Sequence, residues 1–204
     1  MNALKTNSYD GDTRCGPGRP MCPELHRAVL DATNRLLETK SIGELTINGV
    51  AKEAGVSRPA IYRRWSNVRE IALEAFLEST DQQIPTSRAG TASEKLRAQV
   101  RAITKFMRGR GGRIAAELIG EGQSDANALA DFRNQFLQHR RAAGRVVIEL
   151  GIASGEFDPD IDVELAVDLY AGPIYYRLLT GHAKLTDAFA QELADRVLRS
   201  LSLD

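Results

Sequence analysis

The chain has 204 residues, 43% of them apolar and 26% charged, enough to bury a core and still wet its surface. Net charge is zero at neutral pH, so overall charge argues neither for nor against a polyanionic partner. No stretch approaches the roughly 18 apolar residues of a membrane span, and the polar first twenty residues lack a secretory core, so a cytoplasmic protein without a membrane partner is expected.

Residues 1–21 are rich in Gly, Pro, Asn, Asp and Thr without apolar periodicity and predict a flexible arm. Within it, Gly16-Pro17-Gly18-Arg19-Pro20 suits an arm that lays Arg19 in a narrow minor groove, and equally a tail with no role. Cys15 and Cys22 form no Cys-x-x-Cys pair and have no nearby zinc partners, so they read as free thiols. Pro23 opens a first helix carrying Val29, Leu30, Thr33, Leu36 and Leu37, which ends before Gly43. Thr46 caps a short second helix with Val50, Ala51 and Ala54; Gly55 breaks it and Ser57 caps a third. A fourth is predicted from about Val68 to Thr80, before a loop over Gln82–Gly90.

Beyond the loop the pattern stays helical. Thr91-Ala92-Ser93-Glu94 has capping-box form, followed by Leu96, Val100, Ile103 and Met107 on one face. A short segment spans Ile114–Ile119. After Ser124 a long helix carries Leu129, Phe132, Phe136, Ala143, Val146 and Leu150, ending near Gly151–Gly155. Asp162 caps a helix through Leu178, interrupted by Gly172-Pro173, and Thr186 caps the last. Strand-type alternation is nowhere sustained. The expectation is an all-α chain of about nine helices: the arm, a helix-turn-helix domain over 22–80 and a regulatory and dimerisation domain over 81–204.

Residues 46–62 carry the functional signal. Ala51 is small where two crossing helices approach, Gly55 takes the left-handed conformation of a tight turn, and Val56 and Ile61 plug the angle between them. Ser57 then caps a helix whose first N–H groups face phosphate. This order builds a helix-turn-helix. Arg58, Arg63, Arg64 and Arg69 fall in a stretch without an acid. Arg58 and Arg64 have the reach and fork geometry for guanine edges or phosphates, and Arg63 for phosphate or a surface ion pair. Pro59 and Ala60 offer apolar contact, Ala60 to a thymine methyl. Tyr62, Thr46 and Asn48 offer hydroxyl and amide groups to the backbone. Trp65 is read as closing the small core against the first helix.

The stretch Gly43–Phe76, with Leu45-Thr46-Ile47, Ala54-Gly55-Val56-Ser57 and Ile61-Tyr62-Arg63-Arg64-Trp65, resembles the DNA-binding domain of the TetR/AcrR family. Ala115–Leu201 is similar to a C-terminal domain of that family, through Gly155–Asp162 and Gly172–Leu179. The resemblance implies a homodimer whose last two helices form a four-helix bundle. It also implies a palindromic operator in double-stranded DNA, contacted by Thr46, Asn48, Arg58, Pro59, Ala60, Tyr62 and Arg64. A cavity for an unnamed small-molecule effector that releases the repressor is implied as well. Where the family commonly opens its fourth helix with a phosphate-binding lysine, this chain has Val68, with Arg69 or Arg64 in compensation. Gly49 inside the second helix costs about 1 kcal/mol against alanine.

Phe106, Met107, Leu118, Phe132, Phe136, Tyr170 and Tyr176 line either a ligand cavity or simple core. Leu178, Leu179, Phe189, Leu193, Val197 and Leu201 form either a dimer surface or core. His139 and His182 read as surface or structural residues. Without a phosphate-cradling Gly loop, nucleophile elbow or His pair at metal spacing, no cofactor, metal or active site is expected. A second reading is a small-molecule or protein-binding helical module with a weak or vestigial DNA-binding head, motivated by Val68 and Gly49.

Overall fold

The computed structural model describes residues 23–84 and 89–202 and contains, among them, helices and no strand. Cys15, Arg19 and Cys22 lie outside the described residues. The elements are α1 (Pro23–Leu36), a 3-10 turn (Ile42–Glu44), α2 (Ile47–Ala54), α3 (Arg58–Tyr62), α4 (Val68–Gln83), α5 (Ala92–Arg108) and α6 (Arg110–Gly122). There follow α7 (Ala126–Asp131), a π-helical turn (Phe132–Leu137) running straight into α8 (Gln138–Ser154), then α9 (Val163–Thr180) and α10 (Asp187–Leu201). None of these is long and apolar enough to cross a membrane.

Two apolar clusters organise the described chain. Val29, Leu30, Val50, Ala51, Ile61, Trp65, Ile71 and Ala75 make a small one where α1 to α4 meet. The larger one gathers α5, α6, the π-helical turn and α8 to α10, and also takes Leu37, Ile42 and Leu45. Helix α4 serves both, giving Ile71 and Ala75 to the first and Ala72, Leu73 and Phe76 to the second. A helix with apolar residues almost all round must be covered on both sides.

Helix α6 joins the two parts with side chains every three or four residues. Arg110 donates to the Asn34 carbonyl (2.7 Å) and pairs with Glu38. Arg113 donates to the Leu37 and Lys40 carbonyls, satisfying acceptors just beyond α1. Glu117 accepts the Ile42 N–H at 2.6 Å, and Glu121 pairs with Arg69 at the start of α4.

Three elements depart from the expected pattern. Where a short segment over Ile114–Ile119 was expected, α6 spans thirteen residues, because its glycines permit close packing rather than ending the helix. A Cβ on Gly112 would overlap the Met107 carbonyl, so the α5–α6 corner closes only on glycine. In the α7–α8 rod the π turn inserts one residue, and Gly144, Val147, Ile148 and Gly151 face the core. Val146 and Leu150, expected inward, are turned out to solvent. Finally, α9 runs as one helix through Gly172-Pro173, where an interruption was expected.

Candidate nucleic-acid interface

The turn between α2 and α3 is built as its residues require. Thr46 caps α2, its Oγ1 accepting the Gly49 N–H at 3.0 Å. A Cβ on Gly49 would press to 3.2 Å from that oxygen, so the glycine leaves room for the cap. Gly55 adopts φ 67°, ψ 28°, and the Val56 N–H reaches back to the Ala51 carbonyl at 3.0 Å, closing the helix end. Ser57 holds the cap position of α3, but its hydroxyl makes no capping bond; its carbonyl accepts from Ala60 and Ile61 instead. Pro59, in the first turn of α3, is compatible with that position because it has no N–H to leave unpaired.

Thr46, Asn48, Ser57, Arg58, Pro59, Tyr62, Arg63, Arg64 and Arg69 are all exposed. They differ in what they touch. The side chains of Arg58, Tyr62 and Arg63 make no hydrogen bond or ion pair with other described residues. Ala60, expected against a thymine methyl, is 5% exposed and packed inward. Its short side chain instead lets α3 seat closely.

Arg64 and Arg69, expected on bases or phosphates, are held by acids from elsewhere in the fold. Arg64 donates to Glu74 at 3.0 Å with its guanidinium over the Trp65 ring. The same carboxylate accepts the Trp65 Nε1–H at 2.6 Å. Trp65 is buried and stacks on His26 of α1, closing the small core. Arg69 pairs with Glu121 and lies 3.5 Å from Asp125. It therefore fastens α4 to α6 and α7. Proximity in sequence to an acid-free stretch concealed both pairings, since the acids come from positions 74, 121 and 125.

The start of α4 is also occupied. Asn67 accepts the Arg69 and Glu70 N–H groups, and Glu70 accepts the Ser66 N–H at 2.7 Å. Val68 turns inward and packs against both clusters. Among the described residues, Arg58 and Arg63 at the two ends of α3 are left exposed and unpaired.

The residues expected around a ligand cavity divide among several places. Met107, Phe136 and Tyr170 border an internal space of only about 40 Å³, with Tyr175 and Arg140. Burial pushes the Tyr170 hydroxyl up to about 12. Leu118 and Phe132 line a larger cleft of about 630 Å³ between α4 and α6–α7, which Trp65, Arg69, Glu121 and Asp125 also border. Phe106 packs against Phe76. Tyr176 is 62% exposed and leans on His182; its neighbour Tyr175 takes the inward place, one step round the helix.

The dimer-or-core ladder also resolves. Leu193, Val197 and Leu201 are buried in their own chain, where α10 packs along α5 and Arg97 pairs with Asp195. Phe189 lies under the Arg177 guanidinium, 3.7 Å from the ring centre, and Leu178 is half-buried against the core. Of the six only Leu179 is exposed, in register with the exposed Leu165, Leu169 and Tyr176 on α9; Val146 and Leu150 on α8, which packs against α9, are exposed as well. Among the described residues no group of three or more His, Cys, Asp or Glu is placed to hold a metal.

Two family models match the chain. One, described as bacterial regulatory proteins, tetR family, covers residues 29–75; the other, a tetracyclin repressor-like C-terminal domain, covers residues 87–197. The HTH-type transcriptional regulator YdeS of Bacillus subtilis (strain 168) is 32% identical over 176 residues, 86% of this chain and 89% of its own. The regulator AqdR of Rhodococcus erythropolis is 28% identical over 147 residues, 72% and 70% of the two chains. Among solved structures, the TetR family transcription regulator SCO0332 superposes with a TM-score of 0.78 at 32% identity, over 88% of this chain and 100% of its own. FadR of Bacillus subtilis, solved with stearoyl-CoA, shares the fold at 22% identity and TM-score 0.69, over 86% and 99%.

Proposed function

The chain belongs to the TetR family and is a DNA-binding transcriptional regulator, and on that premise we propose that it is a homodimeric repressor that reads a palindromic operator through α3. The observation that carries this is the exposed, unpaired trio Arg58, Tyr62 and Arg63 on a helix set by the Gly55 turn. Arg58 is the base reader and Arg63 a phosphate contact, with Tyr62, Thr46 and Asn48 fixing the register on the backbone. Arg64 and Arg69 act on the fold rather than on DNA.

The second copy docks on the apolar stripe of α8 and α9. Leu165, Leu169, Tyr176 and Leu179 recur at helical spacing, with Val146 and Leu150 alongside. A stripe crossing two adjacent helices meets its own copy about a two-fold axis and buries both in a four-helix bundle. That symmetry spaces two α3 helices for two half-sites. Release by an effector is carried by α4, which serves both clusters, and by the α6 side chains that hold the head. Such a protein works in the cytoplasm, where the operator is.

The test is selection of bound sites from a random DNA pool, followed by titration at several salt concentrations. The expected result is an enriched palindrome, bound more weakly as salt rises. Arg58→Ala should cost about 1–3 kcal/mol of operator affinity and relax one position of the site. Failure of any palindrome to enrich over random DNA overturns the reading.

A further inference from the structure

Arg140, in the first turn of α8, is an unusual cation. Its side chain is only 12% exposed. Its Nε is buried with no partner among the described residues. One terminal nitrogen donates to the Ile84 carbonyl at 3.3 Å and the other lies 3.5 Å from Asp81, which is itself mostly exposed. An arginine carries five donors, and a largely buried guanidinium with only two long contacts is poorly compensated. Burial lowers its pKa, a sign of the same desolvation.

Arg140 lines an open cleft of about 430 Å³ whose other walls are largely apolar: Ile84, Ala142, Ala143 and Val146, together with the exposed Asp81 and His139. It also borders the 40 Å³ space, which has room for a water molecule but not for a ligand body. We propose that this cleft binds a small organic carboxylate with an apolar body, its carboxylate on the Arg140 guanidinium and its body along Ala142, Ala143 and Val146. A carboxylate matches the guanidinium fork with two parallel bonds, and the weak Asp81 contact is the one it displaces. Val146 belongs to the stripe assigned to the second copy, which closes the cleft on that side.

The position gives the ligand a route to the head. Asp81 and Ile84 sit at the far end of α4, whose other end carries Arg69 and packs the head core. An anion on Arg140 displaces the Asp81 contact that helps hold this end of α4 and shifts its balance between seats. This rests on the reading of an effector-released repressor, and names the effector's chemical class.

The experiment is calorimetric titration of the full-length protein with octanoate and 4-phenylbutyrate, each beside its neutral amide and with octylamine as the opposite charge. Operator affinity is measured in the same samples. Saturable binding of a carboxylate, absent for amide and amine, is expected. Arg140→Gln should weaken it about tenfold or more, the scale of a charge-assisted pair. The exposed Asp81→Asn, which removes the competing acid and leaves the core intact, should tighten it several-fold. Binding of neither acid, equal binding of the amide, or no tightening in Asp81→Asn overturns the site. Tight operator binding unaffected by acid overturns the effector role alone, whereas loss of operator binding in ligand-free protein overturns the repressor reading instead.

Discussion

At the scale of single residues, Glu74 ties Arg64 back against the small core. Its carboxylate holds the buried Trp65 Nε1–H and the exposed Arg64 together, with His26 Nε2 at 3.4 Å. The Trp65 bond is the stronger term, because its donor is cut off from water, while the Arg64 pair is half-exposed and screened. Two substitutions separate these terms. Glu74→Ala leaves the indole N–H unpaired and should lower stability by about 1–3 kcal/mol in urea unfolding. Glu74→Gln keeps an acceptor for the indole and should cost much less. In both, Arg64 is released towards solvent beside Arg63, so the slope of log affinity against log salt should steepen by about one. An unchanged slope in both variants would place Arg64 away from the phosphates even when untied.

At the scale of elements, the segment between α8 and α9 shows how a short stretch fixes three helices. Gly155 ends α8 in the left-handed region, Phe157 fills the core against Gly151, and Asp162 caps α9. Between them Glu156 accepts the Ala92 and Ser93 N–H groups at 2.9 and 3.0 Å, so it caps α5 from outside. Those two bonds draw its pKa from the ordinary 4.5 down to about 2. A carboxyl lowered by folding stabilises the native state above its unfolded pKa, and that contribution is lost as pH falls from about 4.5 towards 2. The urea midpoint of the native chain should therefore drop more steeply across that window than that of Glu156→Gln, and parallel curves would deny Glu156 the role. The caps of α2 and α5 and the α2–α3 turn were legible in the sequence because each depends on neighbours within four residues: Thr46 with Gly49, Gly55 with Ala51, Thr91 with Glu94. What escaped depends on distant partners or on helix phase. Nothing near Arg69 announces Glu121, and nothing around Phe132 announces a π turn that rotates Val146 and Leu150 outward.

At the scale of the whole molecule, that rotation determines which face is left for a partner. A ladder of Phe189, Leu193, Val197 and Leu201 looks like an interface in sequence, yet α10 spends it on α5 and on its own core. The turned-out residues of α8 and the stripe of α9 remain uncovered. Two substitutions therefore have opposite signatures. Leu169→Asp removes a partly exposed apolar side chain at modest cost to the folded protomer. In a two-fold interface it acts twice, losing about 1 kcal/mol of burial from each copy and leaving a desolvated charge there, so dimer dissociation should rise by about 100-fold. Sedimentation should then show folded monomers that bind single half-sites and have lost the added affinity for a palindrome. Val197→Asp instead buries an unpaired charge inside one chain and should unfold it before any question of assembly arises. If Leu169→Asp stayed dimeric and kept full palindrome affinity, the second copy would have to sit elsewhere, and the α8–α9 stripe would be the face of some other contact.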